Sequence, residues 1–191
     1  HVRSRRQRQM CIRDSAFTAL VDRALHSGRV DVVVTSGGVS AGAHEVVKNV
    51  LRDRIEFVAV AMQPGRPQAF GRIDDALIFG LPGNPASVAA SFEAFVRPAL
   101  LALQGREPLQ RPMIRLTTTA GWRSPAGRQQ YVPVTLDRSD PAAWAVHPAA
   151  ADGSSGAHLA AGLARADAYA VVPAEVSAVA AGDHVDVMLL S

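Results

Sequence analysis

Three short segments combine glycine, proline, hydroxyl and charged residues in ways that suit anion chemistry. They are Thr35-Ser36-Gly37-Gly38-Val39-Ser40-Ala41-Gly42 with Glu45 three residues on, Gln63-Pro64-Gly65-Arg66-Pro67, and Leu81-Pro82-Gly83-Asn84-Pro85-Ala86-Ser87. In the first, glycines let backbone N–H groups approach an anion closely, and the hydroxyls precede a helix whose dipole favours negative charge at its start. A phosphate site and a plain structural turn both account for this segment taken alone, since its spacing is neither the Walker pattern nor G-x-G-x-x-G. Glu45 falls in the first helical turn, where a carboxylate gains from the dipole with or without a metal to bind.

In the second segment Pro64 and Pro67 stiffen the loop that carries Arg66. A rigid guanidinium at a strand end suits an oxyanion, and a solvated Arg on a rigid loop is the plain alternative. In the third, Asn84 is placed to cap a helix and Pro85 suits its first turn, while Ser87 is expected in an exposed position, free to donate to a ligand.

The elements that must hold these segments follow from hydrophobic periodicity. Phe17, Leu20, Val21, Ala24 and Leu25 form one face of a short helix that ends at Ser27-Gly28, and Val30 to Val34 is a buried strand by its β-branched content. His44 to Leu51 reads as a helix with Val46, Val47, Val50 and Leu51 buried, Phe57 to Met62 and Ala76 to Phe79 as strands, and Val88, Phe92, Phe95, Val96 and Leu100 as the apolar face of a long helix. Alternating strands and helices predict an α/β domain with a mostly parallel sheet covered on both faces, ligands sitting beyond the carboxyl ends of its strands. After residues 104–108 the texture changes to short alternating runs, Met113 to Thr119, Gln130 to Leu136, Trp144 to His147, Tyr169 to Pro173 and Val185 to Leu190, which predict a small all-β domain. The expected division is 16–104 for the α/β domain and 105–191 for the β domain. The alanine-rich stretch Ala157 to Ala170 is expected to hold a short helix or turn.

With 191 residues, 48% of them hydrophobic, the chain can bury a substantial core. No apolar run is read as approaching the roughly 18 residues of a membrane span, and no signal-peptide pattern is present, so neither a membrane nor secretion is expected and the cytosol is. A single cysteine, Cys11, has no neighbouring Cys or His at zinc spacing and reads as a bystander thiol. The isoelectric point near 9.7 invites a nucleic-acid reading. However, residues 1–15 hold five Arg against one Asp, a net +4, which leaves −1 of the chain's +3 for residues 16–191. The basicity therefore belongs to a segment without apolar periodicity, read as a disordered or foreign extension, and no nucleic-acid partner is expected.

Taken together, the three segments at 35–45, 63–67 and 81–87 resemble the MoeA family of molybdopterin molybdenumtransferases, which includes the E domain of gephyrin. The family's motifs run T-S-G-G-V-S-x-G with a downstream acidic residue, x-P-G-[KR]-P, and L-P-G-N-P-x-S, in this order. The similarity continues through Ala126-Gly127-Arg128-Gln129-Gln130-Tyr131 and Gly153 to His158, so that it runs from Ala16 to Ser191. It identifies the first domain as the molybdopterin-binding type and the second as like the family's domain IV.

The resemblance implies an enzyme that transfers molybdenum from molybdate to adenylylated molybdopterin with Mg²⁺ and releases AMP. It assigns Thr35, Ser36, Gly37, Gly38, Val39, Ser40 and Gly42 to the pterin phosphate and nucleotide. Pro64, Gly65, Pro67, Pro82, Gly83, Asn84 and Ser87 line the same cofactor cleft. Glu45 takes the acidic position that helps hold Mg²⁺ and, with Arg66, a catalytic role. Gln63, Arg66, Pro67 and Arg128 match the molybdate pocket, with a serine from the Gly153 to His158 segment, Ser154 or Ser155. Two Arg side chains grip a tetrahedral dianion by charge-assisted hydrogen bonds.

Gln63 and Ala59 stand where many relatives carry Lys, and Ala157 where the usual serine falls, so weaker molybdate binding is expected. Family members also have further N-terminal domains and form homodimers. Two other readings compete: a non-catalytic scaffold that keeps the fold, and a molybdopterin adenylyltransferase, against which the β domain argues because that enzyme normally lacks one.

Overall fold

The computed structural model describes residues 5–40, 45–150 and 162–190, with the backbone alone for 5–13. The chain forms two compact units. The first comprises His1–Val60 and Gly65–Val88, the second Ala61–Pro64 and Ala89–Ser191.

In the first unit, helix α1 (Arg5–His26) leads through Gly28 to strand β1 (Val32–Ser36), helix α2 (Val46–Leu51) and strand β2 (Glu56–Ala59). Strand β3 (Met62–Gln63) belongs to the second unit, and the chain returns through β4 (Pro67–Ile73) and β5 (Ala76–Leu81). The sheet order is β1-β5-β4-β2, with β1 and β5 parallel and the other two pairs antiparallel. The mostly parallel sheet expected from the sequence is thus corrected to a mixed one. The cause is β4: it forms a hairpin with β5 through Asp74-Asp75, where Asp74 takes φ 53° and Arg72 donates to the Asp75 carboxylate at 2.7 Å. One side chain every fourth residue of α1 (Phe17, Val21, Leu25) packs with Val47 and Leu51 of α2 over Ile78 and Ala69 of the sheet. Helix α1 begins at Arg5, well before the start expected at Ala16.

The long helix after Asn84 has three parts: α3 (Pro85–Ser91), a π turn (Phe92–Val96) and α4 (Arg97–Leu103). Pro98 lacks the N–H that would continue the α pattern to the preceding turn, and the π turn ends two residues before it. Residues Pro85–Leu103 form one helix that is long and apolar enough to cross a membrane by length and composition, which corrects the sequence reading on that point. The helix carries Glu93 and Arg97, and Arg111 binds the Glu93 carboxylate through Nε at 2.9 Å and Nη2 at 3.2 Å.

The second unit is built from β6 (Met113–Thr118), β7 (Trp122–Arg123), β8 (Gln129–Asp137), β9 (Ala145–Pro148), β10 (Ala168–Val172), β11 (Ala178–Val179) and β12 (His184–Leu189). The order β10-β12-β6-β9-β8 closes on itself through a β8–β10 pairing, making a barrel, and β3 joins β8 from outside. Closure removes exposed strand edges and encloses Val134, Val146, Val187, Ala168 and Ala170, all fully buried. Each of the five alternating runs read from the sequence becomes one of its strands.

Candidate functional site

Strands β1, β2 and β5 run in the same direction and β4 runs against them, so the loops that follow all three leave one edge of the first sheet. Two of those loops touch. Gly37 N–H donates to the Leu81 carbonyl at 2.9 Å, and a Cβ placed on Gly83 would lie 3.4 Å from the Gly37 Cα, so backbone meets backbone. Gly38 has φ +74°, and a Cβ there would come within 2.8 Å of Val47 Cγ2. Its carbonyl accepts from Lys48 N–H at 3.0 Å, which ties helix α2 to the glycine loop.

The individual residues fall as follows. Thr35 and Ser36, expected in the turn, lie in β1, because β1 pairs with β5 as far as Ser36 opposite Leu81. The Thr35 hydroxyl donates to the Phe79 carbonyl at 3.5 Å. Val39 points into the core, leaving its backbone and the exposed Ser40 on the outside. Glu45 occupies the position before α2, and its carboxylate makes no capping hydrogen bond. Pro64 and Gly65 are buried, with Gln68 Nε2 donating to the Gly65 carbonyl at 2.6 Å and Val60 N–H to the Arg66 carbonyl at 2.8 Å. These bonds fix the loop backbone and leave the Arg66 side chain exposed.

Asn84 caps the long helix as expected, its Oδ1 accepting from Ala86 N at 3.0 Å and Ser87 N at 3.4 Å. Ser87 is a correction: only 8% exposed, it lies beside buried Ala86 and Ala90 on the side of the helix that packs inward. Pro82 is buried and Gly83 exposed. Gly42, Ser154, Ser155 and Ala157, with the rest of 157–161 at the start of the alanine-rich stretch, lie outside the described residues.

Within the first unit, Ser40, Lys48 and Arg66 line a cavity of about 400 Å³ with Val39, Phe57 and Pro67 among its apolar walls. Lys48 is the residue that the sequence reading passed over. A lone Lys among apolar helix positions reads as solvated, and its only sequence signal is its place one turn after Glu45, off the face of Val47 and Leu51.

Within the second unit, β3 pairs with β8 so that Gln63 sits opposite Gln130. Arg128, in the turn before β8, donates from Nη1 to Gln63 Oε1 at 3.3 Å. Neighbouring amides are also engaged: Trp122 Nε1 donates to Gln130 Oε1 at 3.1 Å and Gln129 Nε2 to the Tyr131 hydroxyl at 2.6 Å. Burial pushes the Tyr131 hydroxyl above its ordinary pKa, partly offset by that Gln129 bond.

Among the described residues no three His, Cys, Asp or Glu side chains gather where they could cage a metal ion. One uncapped carboxylate, Glu45, suits Mg²⁺ held jointly with substrate phosphates, the usual manner for this ion, and does not suit an all-protein site.

Two families match the chain. The family described as "Probable molybdopterin binding domain" matches residues 8–102, and the MoeA C-terminal region (domain IV) matches residues 115–190. The chain is 38% identical over 179 residues to Molybdopterin molybdenumtransferase 2 of Mycobacterium tuberculosis, covering 90% of this chain and 42% of that protein. It is 30% identical over 177 residues to the Molybdopterin molybdenumtransferase of Haemophilus influenzae, covering 91% and 42%. Among solved structures, the molybdopterin biosynthesis MoeA protein of Pyrococcus horikosii superposes with a TM-score of 0.71 at 29% identity, over 92% of this chain and 40% of that one. The chain therefore spans about two fifths of the length of these relatives.

Proposed function

The chain belongs to the MoeA family, and from that premise we propose that it serves molybdenum cofactor biosynthesis as a molybdopterin molybdenumtransferase, moving molybdenum from molybdate to adenylylated molybdopterin with release of AMP. The observation that carries this reading is the cavity of the first unit, where the exposed Ser40 beside the glycine loop and the exposed Arg66 present a hydroxyl and a guanidinium to one space. The substrate pair has two anionic parts, a phosphoanhydride and an oxyanion, and these groups are of the type that binds them.

In this reading the backbone of Gly37 to Ser40 receives the phosphates, and Arg66 offsets charge that builds as the anhydride breaks. On the second unit Arg128, oriented by Gln63, binds molybdate, and the resemblance adds Arg66 and Ser155 to the residues assigned to this anion. Glu45 holds Mg²⁺ together with the substrate phosphates; that ion would supply charge neutralisation on the anhydride. Asn84 serves by capping the helix that follows Gly83, which holds the third loop in place. The family resemblance extends the proposal to a cytosolic homodimer, which light scattering and fractionation would check.

The testing experiment supplies the chain with adenylylated molybdopterin and Mg²⁺ and follows AMP with and without molybdate. Molybdate-dependent release supports the transferase. Binding of the pterin nucleotide without release would favour the scaffold reading.

A further inference from the structure

We propose that the oxyanion seat of the second unit presents hydrogen-bond donors only, through the amides of Gln63 and Gln130, and so selects a fully deprotonated tetrahedral dianion over hydrogen phosphate. The proposal rests on the reading that puts molybdate at Arg128; it adds two residues, Gln130 and Trp122, and names the anion that the seat refuses. Gln63 and Gln130 face each other across the β3–β8 pairing, so their side chains leave the same face of the sheet from backbones about 5 Å apart. Gln130 precedes Val132 and Val134 at alternate positions of β8, and both valines are buried in the barrel core. Gln130 therefore continues their inward-facing row toward the end of the barrel, where Trp122 of the same core cluster meets it. Barrel mouths are a common place for small-ligand sites.

What the two amides offer is decided by their partners. An indole N–H and a guanidinium can only donate, so the atom that meets each of them is an amide oxygen. Trp122 Nε1 donates to Gln130 Oε1 at 3.1 Å, and Arg128 Nη1 donates to Gln63 Oε1 at 3.3 Å. Both oxygens are turned to their donors. Among the described residues neither amide NH₂ has a hydrogen-bond partner, so each is left to offer its N–H groups. Trp122 is only 8% exposed, and rotating the Gln130 amide would leave its indole N–H unpaired, which holds the orientation.

Ions of one shape then separate by their protons. Molybdate, tungstate and sulfate are tetrahedral dianions whose oxygens all accept near neutral pH. Hydrogen phosphate is also a tetrahedral dianion, but one of its oxygens carries a proton that needs an acceptor. Set against an amide N–H, that proton opposes donor to donor and leaves both unpaired. A carboxylate or a free amide oxygen would take it, and the two amides present neither.

The test is calorimetric titration of the whole chain near neutral pH with molybdate, sulfate and inorganic phosphate, binding that disappears in Arg128→Ala being assigned to this seat. Molybdate and sulfate should both bind there, and phosphate at least about tenfold more weakly. Trp122→Phe frees the Gln130 amide to present its oxygen, and Gln130→Glu supplies a carboxylate; each should narrow the gap between sulfate and phosphate about tenfold. A merely structural role for Trp122 would weaken both ions alike. Circular dichroism establishes that each variant is folded. Phosphate bound as tightly as sulfate by the unaltered chain, or a sulfate-to-phosphate ratio unchanged in the folded variants, would overturn the proposal and leave the molybdate reading standing. Sulfate bound and phosphate refused, with no molybdate bound, would instead remove that reading and keep the donor-only seat. No Arg128-dependent binding of any of the three would remove both.

Discussion

Arg128 gives one hydrogen bond, from Nη1 at 3.3 Å, to the side-chain oxygen of Gln63, so the neighbour of this guanidinium is a neutral amide and not a second cation. The pairing of β3 with β8 creates the contact, since it brings a residue from the β2–β4 loop beside the turn that begins the barrel's longest strand. The arrangement orients half-buried Arg128 with one of its five N–H groups.

This pair predicts how oxyanion affinity responds to charge at one position. Gln63→Glu would place a carboxylate on Arg128 and cancel its charge, lowering molybdate affinity about tenfold or more; Gln63→Lys would add a cation and raise it. Equilibrium dialysis against molybdate reads both. Indifference to both substitutions would remove Gln63 and Arg128 from the molybdate site.

Glu93 and Arg111 predict a stability effect. The carboxylate is 13% exposed and the guanidinium 23%, and Arg111 also donates to the Leu190 carbonyl at 2.6 Å. Glu93→Gln leaves Arg111 and Arg97 without their anion, and should cost about 2 kcal/mol in urea denaturation. The double variant Glu93→Gln/Arg111→Met should be less damaged than the sum of the two singles. Simple additivity would mean that the pair contributes no coupling.

Gly38→Ala tests whether the glycine loop sets the place of α2. The added methyl must adopt φ +74° and collide with Val47, so destabilisation should exceed about 1 kcal/mol. Because Lys48 N–H bonds this residue's carbonyl, ligand affinity should fall along with stability. A variant of unaltered melting temperature would show the loop free to rearrange.

Tyr169 predicts the alkaline limit. Its hydroxyl is raised from 10.0 to about 12, first by burial and then by the negative charge of Glu93. Since the folded value is the higher one, the contribution is fully present below pH 10 and is lost as pH rises from 10 through 12. Tyr169→Phe should flatten that loss. It should also stabilise the protein at neutral pH by about 1 kcal/mol, because the buried hydroxyl has no hydrogen-bond partner among the described residues. An unchanged alkaline profile would assign the loss to another group.

Much of this was legible in the chain itself. Runs such as Gln130 to Leu136 alternate because β8 has the barrel core on one face, and Asn84 before Pro85 announces a capped helix that the structure contains. What failed depends on partners distant in sequence. Strands β3, β7 and β11 have two residues each, too few for alternation to show, and exist because other strands pair with them. The β4 segment is interrupted by Gly71 and Arg72, which hid the hairpin and with it the mixed sheet. Ser87 follows two residues that promise a helix's exposed first turn, yet tertiary packing buries it. Lys48 shares a cavity with Arg66, which lies far from it in sequence, so nothing local marks it.

The most direct test of the central claim is a single-turnover assay of AMP release from adenylylated molybdopterin with Mg²⁺, comparing the chain with its Arg66→Ala and Glu45→Ala variants, with and without molybdate. The account predicts release that requires molybdate and falls in both variants while the proteins remain folded. Release that ignores molybdate, or that survives in both variants, would contradict it.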